Sequence, residues 1–161
     1  MEFRFLTESD AEDISRFIHD VWVDTYAPIV KGGREWAERI FDNWVGPERI
    51  RKDMATGYFY ADLVVGDDVV GLASAGKEGD AIFISKLYIM PEFRRRGYGQ
   101  QALDLIFDLG REQGCTSAKL QVNPRNEAAI SFYEKYGFRT VGRNEYERGY
   151  TDVMSADLRR P

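Results

Sequence analysis

The sequence predicts one α/β domain over residues 1–161, with helices flanking a mixed, mostly antiparallel sheet. Three observations predict this class. Apolar residues recur at helical spacing in the N-terminal third, and β-branched and aromatic segments separated by hairpin turns follow them. A strand–helix–strand–helix section then occupies residues 81–138, before a final hairpin. The predicted order is therefore β-α-α-β-β-β-α-β-α-β-β.

The N-terminal third is predicted to hold one strand followed by helices. MEFRFL is typical of a short strand, and residues 7–22 form a helix after Thr7 or Ser9 as N-cap. Its apolar face holds Ile14, Phe17, Ile18 and Val21. APIVKGG breaks the helical pattern, REWAERIFDNWV resumes it as a second helix, and GPERIRKDMATG adds a further turn or two.

The middle of the chain is predicted as three strands, YFYADLVVG, DVVGLASAG and AIFISKLYIM, joined by turns at GDD and GKEGD. GLASAGKE nearly satisfies the phosphate-binding pattern G-x-x-x-x-G-K-[ST]. Glu78 replaces the required hydroxyl, however, and a strand follows where that motif needs a helix. We therefore interpret GLASAGKE as a hairpin turn.

The second half alternates helices and strands. GQQALDLIFDLGREQG is predicted as a helix with Ala102, Leu103, Ile106 and Leu109 on one face. SAKLQVN follows as a strand, and NEAAISFYEKYGF as a short helix that ends at Gly137. RTVGRNEYERGY and TDVMSADL form the last hairpin.

The composition predicts a well-packed protein with an acidic surface. Hydrophobic residues make up 43% of the chain and aromatic residues 14%, which excludes a disordered protein. A net charge of −5 argues against general nucleic-acid binding. Cys115 is the only cysteine, and neither a signal peptide nor a membrane-spanning stretch is visible. We expect a cytoplasmic protein without a metal, a membrane partner or a nucleic-acid partner.

PEFRRRGYGQQAL, residues 91–103, places three arginines and two glycines between a strand and a helix. Gly97 and Gly99 permit unusual backbone angles, and a helix N-terminus presents unpaired N–H groups with a partial positive charge. This pattern favours a bound anion such as a pyrophosphate. The alternative is an ordinary strand-to-helix turn whose arginines are solvated.

Two motifs carry a resemblance to a known family. LYIMPEFRRRGYGQQAL resembles the [QR]-x-x-G-x-[GA] signature of the GNAT superfamily of acetyl-CoA-dependent N-acetyltransferases, matched by Arg94, Gly97 and Gly99. NPRNEAAISFYEKYGF resembles the second motif of the same family, matched by Asn126, Tyr133, Gly137 and Phe138. The element order agrees over residues 1–158, and the motifs are specific over residues 87–138.

The resemblance implies the GNAT fold, whose two central parallel strands splay apart, and acetyl-CoA as co-substrate. Backbone N–H groups of residues 94–99 would hold the pyrophosphate. Residues 87–89 would pair with the pantetheine arm at a bulge, and Asn126 would contact the arm from the other side. The coenzyme-binding residues implied are Leu87, Tyr88, Ile89, Arg94, Arg95, Arg96, Gly97, Tyr98, Gly99, Gln100 and Asn126.

The same resemblance implies acetyl transfer to a primary amine by direct attack in a ternary complex. Tyr133 stands where many members keep the acid that protonates the thiolate; the alternative is a core aromatic beside Phe132 and Tyr136. A backbone N–H near Ile89 would polarise the thioester carbonyl. A homodimer is left open as a further partner. A non-catalytic acyl-CoA sensor and an arginine-patch interaction protein are the competing hypotheses.

The general base is unassigned. Gln121 and Lys86 stand where relatives carry a glutamate, which leaves Asp24, Glu78 and Tyr88 as candidates acting through water. Tyr26 and the segment DTYAPIV are predicted to form the acceptor wall, where an acidic, aromatic pocket would favour a primary amine such as a polyamine. Cys115 is expected to be buried, and His19 to be a surface or packed helix residue.

Overall fold

The computed structural model describes residues 1–26, 28, 33, 35, 46–146 and 149–159. The chain divides into two compact units, one comprising Phe5–Tyr60 and the other Met1–Arg4 together with Ala61–Pro161. The expectation of one domain over residues 1–161 stays a prediction. The second helix predicted over REWAERIFDNWV and most of the predicted acceptor wall lie outside the described residues.

The smaller unit contains helices α1 (Ala11–Tyr26) and α2 (Pro47–Ala55), with a 3-10 turn at Glu8–Asp10 leading into α1. Thr7, one of the two residues predicted as N-cap of the helix, is the N-cap of that turn, and its N–H donates to Asp10 Oδ2 at 2.8 Å. Ile14 and Ile18 are buried on α1, and Ile50 is buried on α2. The spacing of apolar residues predicted α1, whereas α2 was expected only as a further turn or two within GPERIRKDMATG.

The larger unit is built on a seven-stranded sheet. The strands are β1 (Glu2–Phe5), β2 (Phe59–Val65), β3 (Asp68–Glu78), β4 (Ala81–Ile89), β5 (Ser117–Val122), β6 (Arg139–Tyr146) and β7 (Gly149–Asp157). Their order in the sheet is β1-β2-β3-β4-β5-β7-β6. β4 and β5 pair in parallel, whereas the pairs β3–β4, β5–β7 and β6–β7 are antiparallel. The predicted mixed, mostly antiparallel sheet is confirmed.

The segment GLASAGKE lies inside β3, so its interpretation as a hairpin turn was wrong. The interior of β3 is buried along consecutive residues, which point to opposite faces of the sheet. Small residues fit there because both faces are covered. The turn is confined to Gly79 and Asp80, and Gly79 has a φ of +60°.

Helix α3 (Tyr98–Glu112) packs on the sheet, and helix α4 (Glu127–Tyr136) follows β5. Ala102, Leu103 and Ile106 are buried on α3 as predicted, while Phe107 is buried in place of the predicted Leu109. The helix and sheet approach closely, because a Cβ on Gly110 would lie 2.8 Å from Ile82 Cγ2. Ile82 therefore faces α3, which fixes the two faces of β4.

Candidate active site

The parallel strands β4 and β5 separate at one end. They pair only from Ala81 with Ser117 to Ile84 with Leu120, although β4 continues to Ile89 and β5 to Val122. The splay between the central parallel strands is thus confirmed. Backbone groups of β4 beyond Ile84 no longer pair with β5, so an extended ligand can take the place of the missing strand.

A β-bulge lies where this separation begins. Ala75 of β3 pairs with Ile84, and the preceding Ser74 pairs with Lys86, which leaves Ser85 as the extra residue of β4. A bulge bends its strand and increases its twist. The bulge was expected within residues 87–89; it lies before them, directly after Ile84, the last β4 residue that pairs with β5.

Gly71 lets β3 follow the bent part of β4, a feature that the motif analysis missed. Gly71 pairs with Ile89, and a Cβ at Gly71 would lie 2.0 Å from the carbonyl oxygen of Tyr88. Only glycine fits this approach of two backbones. A glycine in the interior of a predicted strand was the available signal.

The arginine–glycine turn connects the open end of β4 to α3. A 3-10 turn at Pro91–Phe93 precedes two residues with left-handed backbone, Arg95 at φ +65° and Gly97 at φ +78°. The N–H of Gln101 donates to the carbonyl oxygen of Gly97 at 3.2 Å, so the N–H groups of residues 98–100 precede the first intrahelical bond. Such donors, together with the helix dipole, are suited to bind an anion.

The three arginines of the turn differ in what they contact. Arg94 Nε donates to the carbonyl oxygen of Ile89 at 3.0 Å, which ties the turn to the end of β4. The guanidinium of Arg96 lies 5.5 Å from the centre of the Phe93 ring. Arg95 is exposed and takes the left-handed conformation. The direct role predicted for all three at a pyrophosphate stays a prediction.

The two glycines of the first motif are needed for different reasons. A Cβ at Gly97 would meet nothing within 4 Å, so this glycine serves the left-handed backbone. A Cβ at Gly99 would lie 3.0 Å from Phe132 Cζ, so this glycine lets the first turn of α3 approach α4. Tyr98 and Gly99 are half-buried and Gln100 is exposed at the same helix end.

The second motif forms the beginning and end of α4. Asn126 is its N-cap, and Asn126 Oδ1 accepts a hydrogen bond from the N–H of Ala129 at 3.3 Å. The amide nitrogen is then the group suited to donate to a ligand carbonyl. Gly137, at φ +126°, ends the helix and allows Phe138 to enter the core. The contact predicted between Asn126 and the pantetheine arm remains untested.

Tyr133 lies half-buried on α4, between two aromatic rings. Its ring centre is 5.3 Å from that of Phe132 and 5.5 Å from that of Phe138, the latter in edge-to-face contact. These contacts fix the ring, which a catalytic hydroxyl would require. Tyr136, on the same helix, instead donates a hydrogen bond to Asp104 at 2.5 Å. Burial is the main cause that raises the pKa of Tyr136, and this hydrogen bond raises it further.

Two polar side chains stand beside the opening between β4 and β5. Gln121 Oε1 accepts hydrogen bonds from the Tyr146 hydroxyl at 2.6 Å and from Thr151 Oγ1 at 2.7 Å. Lys86 is only 8% exposed, and its Nζ donates to Ser85 Oγ at 3.2 Å. The sequence marked both positions as departures from the family pattern but gave no structural role to either.

Two further properties concern only the described part of the chain. Its His, Cys, Asp and Glu side chains form no group that could hold a metal ion. Within the same residues, each helix is too short or too polar to cross a membrane. Cys115 is buried, as expected.

A parallel strand pair that opens towards the N-terminus of a helix is an arrangement suited to hold an extended, phosphate-bearing coenzyme. Residues 15–138 match the model of the "Acetyltransferase (GNAT) family". The chain therefore belongs to this family. It is an N-acetyltransferase, with acetyl-CoA as co-substrate.

Individual relatives agree with this assignment. The [Ribosomal protein bS18]-alanine N-acetyltransferase of Salmonella typhimurium is 30% identical over 101 residues, which are 60% of this chain and 68% of that protein. The thialysine N-epsilon-acetyltransferase of Mus musculus is 24% identical over 91 residues, so the match spans about half of it, 54%. The PaiA N-acetyltransferase of Thermoplasma acidophilum, solved in complex with coenzyme A, has a similar fold, with a TM-score of 0.78. It is 19% identical, with 97% of this chain and 98% of that chain covered.

Proposed function

We propose that this protein transfers the acetyl group of acetyl-CoA to a primary amine, by direct attack in a ternary complex. The observation that carries this proposal is the continuity of the unpaired end of β4 with the left-handed turn that starts α3. The thioester arm of a coenzyme needs an unpaired strand edge, and its diphosphate needs an adjacent turn with free N–H groups. The relatives named above act on an alanine and on thialysine, and both acceptors supply an amine.

The coenzyme is proposed to lie along β4 with its diphosphate at the turn. Residues 87–89 would pair with the pantetheine arm as a further strand, and the Asn126 amide nitrogen would donate to the arm from α4. Backbone N–H groups within residues 94–99 would hold the diphosphate. Each hydrogen bond to this charged acceptor contributes about 1.5–3 kcal/mol, so three or four bind it firmly.

The reaction needs a neutral amine beside the thioester. The lone pair of the amine nitrogen attacks the carbonyl carbon, and the C–S bond then breaks with its electron pair on sulfur. The Tyr133 hydroxyl donates a proton to the departing thiolate and regains one from solvent, while the nitrogen loses its extra proton to water. An N–H of β4 near Ile89 would stabilise the negative carbonyl oxygen.

A thiol-release assay with acetyl-CoA and a panel of amines tests this function. We expect release that depends on the amine, and an acetylated amine in equal amount by mass spectrometry. Initial rates at several concentrations of both substrates should give intersecting double-reciprocal lines, because both must be bound before transfer. Parallel lines would indicate an acetyl-enzyme intermediate. Binding of acetyl-CoA without thiol release for any amine would instead identify a sensor.

A further inference from the structure

Gln121 lies at the opening between the two separated strands, on the face of the sheet that points away from α3. Ile82 faces α3, so its neighbour Phe83 faces the other way. Phe83 pairs with Lys119, and paired positions project to the same face because neighbouring strands pleat together. Gln121 is two residues beyond Lys119 and shares this face. It directly follows Leu120, the last β5 residue that pairs with β4, so it borders the opening.

Two hydroxyl groups hold the oxygen of the Gln121 side-chain amide. The Tyr146 hydroxyl donates to Oε1 at 2.6 Å, and Thr151 Oγ1 donates to the same atom at 2.7 Å. Both hydroxyls come from β6 and β7, on the side of β5 away from β4, so they draw the oxygen away from the opening. Val122 pairs with Asp152, and Thr151 lies one position further towards the carboxyl end of β5. The side chain therefore leans towards the end at which the strands separate.

The nitrogen of this amide provides two hydrogen-bond donors. The two bonds that Oε1 accepts fix which end of the amide is oxygen and which is nitrogen. Among the residues that the structure describes, none accepts a hydrogen bond from Nε2. Because Gln121 is half-buried, a substrate that covers the opening would take these donors out of water and must supply an acceptor in return.

An amide nitrogen distinguishes between classes of amine. It is uncharged and donates only, so it binds a carbonyl oxygen and gains nothing from an alkyl chain. A second ammonium on the substrate also carries only donors, which would face the donors of Nε2. A carboxylate at this position would have the opposite preference, because it accepts hydrogen bonds and attracts cations.

We propose that Gln121 is a specificity-determining residue that selects amines whose chain carries a carbonyl oxygen, as in an amino amide or a peptide, and that Nε2 donates to this oxygen. Tyr146 and Thr151 are positioning residues, which act by holding the amide in this orientation. The inference rests on the proposed function and narrows its acceptor. Gln121 takes no part in proton transfer, so the steps of acetyl transfer are unchanged.

Three series of amines that differ at one end of the chain test this selection. Amino amides, alkylamines and diamines of matched length are each incubated with acetyl-CoA, and kcat/KM is measured from thiol release. We expect at least one amino amide to exceed the alkylamine and the diamine of its length about fivefold, the effect of a single hydrogen bond. Equal or greater kcat/KM for the alkylamine or the diamine at every length would overturn the inference while the proposed function stands. Acetylation of none of these amines would overturn both.

Two variants of Gln121 and a matched control connect the preference to this side chain. Gln121→Leu has a similar volume but no donors, so kcat/KM for the preferred amino amide should fall about fivefold and that for the alkylamine should not. Gln121→Glu keeps an oxygen for the two hydroxyls but replaces the donors with an acceptor, so it should favour the diamine. Lys119→Met, on the same face but within the paired part of β5, should keep the native preference.

Comparing each variant with the native protein on the same amine cancels the intrinsic reactivity of that amine, and titration with coenzyme A shows that each variant is folded. An unchanged preference in Gln121→Leu or in Gln121→Glu would overturn the inference, as would an equal loss in Lys119→Met.

A double-mutant cycle tests the two positioning residues. Tyr146→Phe and Thr151→Val each allow the amide to rotate, so each should reduce the preference for the amino amide about twofold or more. Combined with Gln121→Leu, neither should reduce it further, because no donor is left to orient. A further loss in the combined variants would show that the hydroxyls act on the acceptor directly and would overturn their positioning role.

Discussion

At the scale of single residues, Gly97 and Gly66 have the same left-handed backbone conformation but lie in different parts of the fold. Both have left-handed backbone, with φ of +78° and +61°, and a Cβ on either would meet nothing within 4 Å. Gly97 precedes the helix terminus proposed to hold the diphosphate, whereas Gly66 lies in the turn between β2 and β3. Substituting each glycine in turn therefore distinguishes the effect of backbone strain on stability from the effect of a damaged site on coenzyme binding.

We expect Gly97→Ala to weaken coenzyme A binding by about 5- to 30-fold. A residue with a Cβ is strained by about 1–2 kcal/mol in this conformation, and relief of that strain would turn the N–H groups away from the diphosphate. Gly66→Ala should lose similar stability in urea and bind coenzyme A normally. Isothermal titration of both variants checks this, and equal affinities for the two would contradict the anion site.

Tyr133 and Tyr136 offer a second comparison between neighbouring hydroxyls on α4. Tyr133→Phe keeps the ring contacts with Phe132 and Phe138 but removes the proposed acid, so kcat should fall about tenfold or more. Coenzyme affinity should change little. Tyr136→Phe removes the bond to Asp104 and should reduce stability by about 1–2 kcal/mol without reducing kcat. Unaltered turnover in Tyr133→Phe would exclude its role as the acid.

At the scale of secondary-structure elements, the shape of β4 depends on its neighbour β3. The bulge at Ser85 bends β4, and Gly71 allows the backbone of β3 to approach Tyr88. Arg94 then ties the end of β4 to the turn through the carbonyl oxygen of Ile89. The proposed pantetheine edge is thus held by contacts that lie outside the recognised motif.

A larger residue at Gly71 should disturb both the fold and the site. Gly71→Ala forces the two strands apart, so the free energy of unfolding should fall by about 1–3 kcal/mol and coenzyme binding should weaken. Gly142→Ala in β6 is the matched strand variant, because a Cβ there would meet nothing within 4 Å. Urea unfolding and coenzyme titration of both proteins test this. Normal binding in Gly71→Ala would show that the edge does not depend on β3.

Most elements could be predicted from local sequence, and the exceptions have physical causes. Helical spacing gave α1 and α3, and the motif residues Gly97 and Asn126 lie at the N-termini of α3 and α4. The buried small residues of β3 have the composition of a turn, so the GLASAGKE segment was predicted as a hairpin turn although it lies within the strand. The position of the bulge at Ser85 depends on how β4 pairs with its neighbouring strands, and the local sequence carries no signal for this pairing. The splay itself came from the family resemblance.

At the scale of the whole molecule, coenzyme binding should add to stability, because a ligand that binds only the folded state shifts the unfolding equilibrium. At a concentration of 100 times Kd the gain is about 2.7 kcal/mol. Acetyl-CoA should therefore raise the thermal midpoint. S-acetylpantetheine, which keeps the arm and thioester but lacks the diphosphate, should raise it much less. Equal shifts at equal concentrations would show that the turn at residues 94–99 contributes nothing.

Two properties of the whole chain, its net charge and the order of its strands in the sheet, show what the sequence as a whole could and could not predict. The net charge of −5 coexists with a turn containing three adjacent arginines, so the proposed anion site was predicted from the local order of residues and not from the overall charge. The insertion of β7 between β5 and β6 was not predicted, because it depends on long-range pairing. It brings Tyr146 and Thr151 to Gln121, which sequence separation concealed.

The extra residue at Ser85 shifts the alternation of side chains between the two faces of β4 by one position. Before it, Ile82 and Ile84 fit the helix; after it, Lys86 and Tyr88 face the other way, and Leu87 and Ile89 return to the helix side. If Ser85 instead took a regular place in the pairing with β3, the set after it would change faces and the lysine would turn towards apolar α3. One serine thus lets a single strand satisfy two different environments along its length.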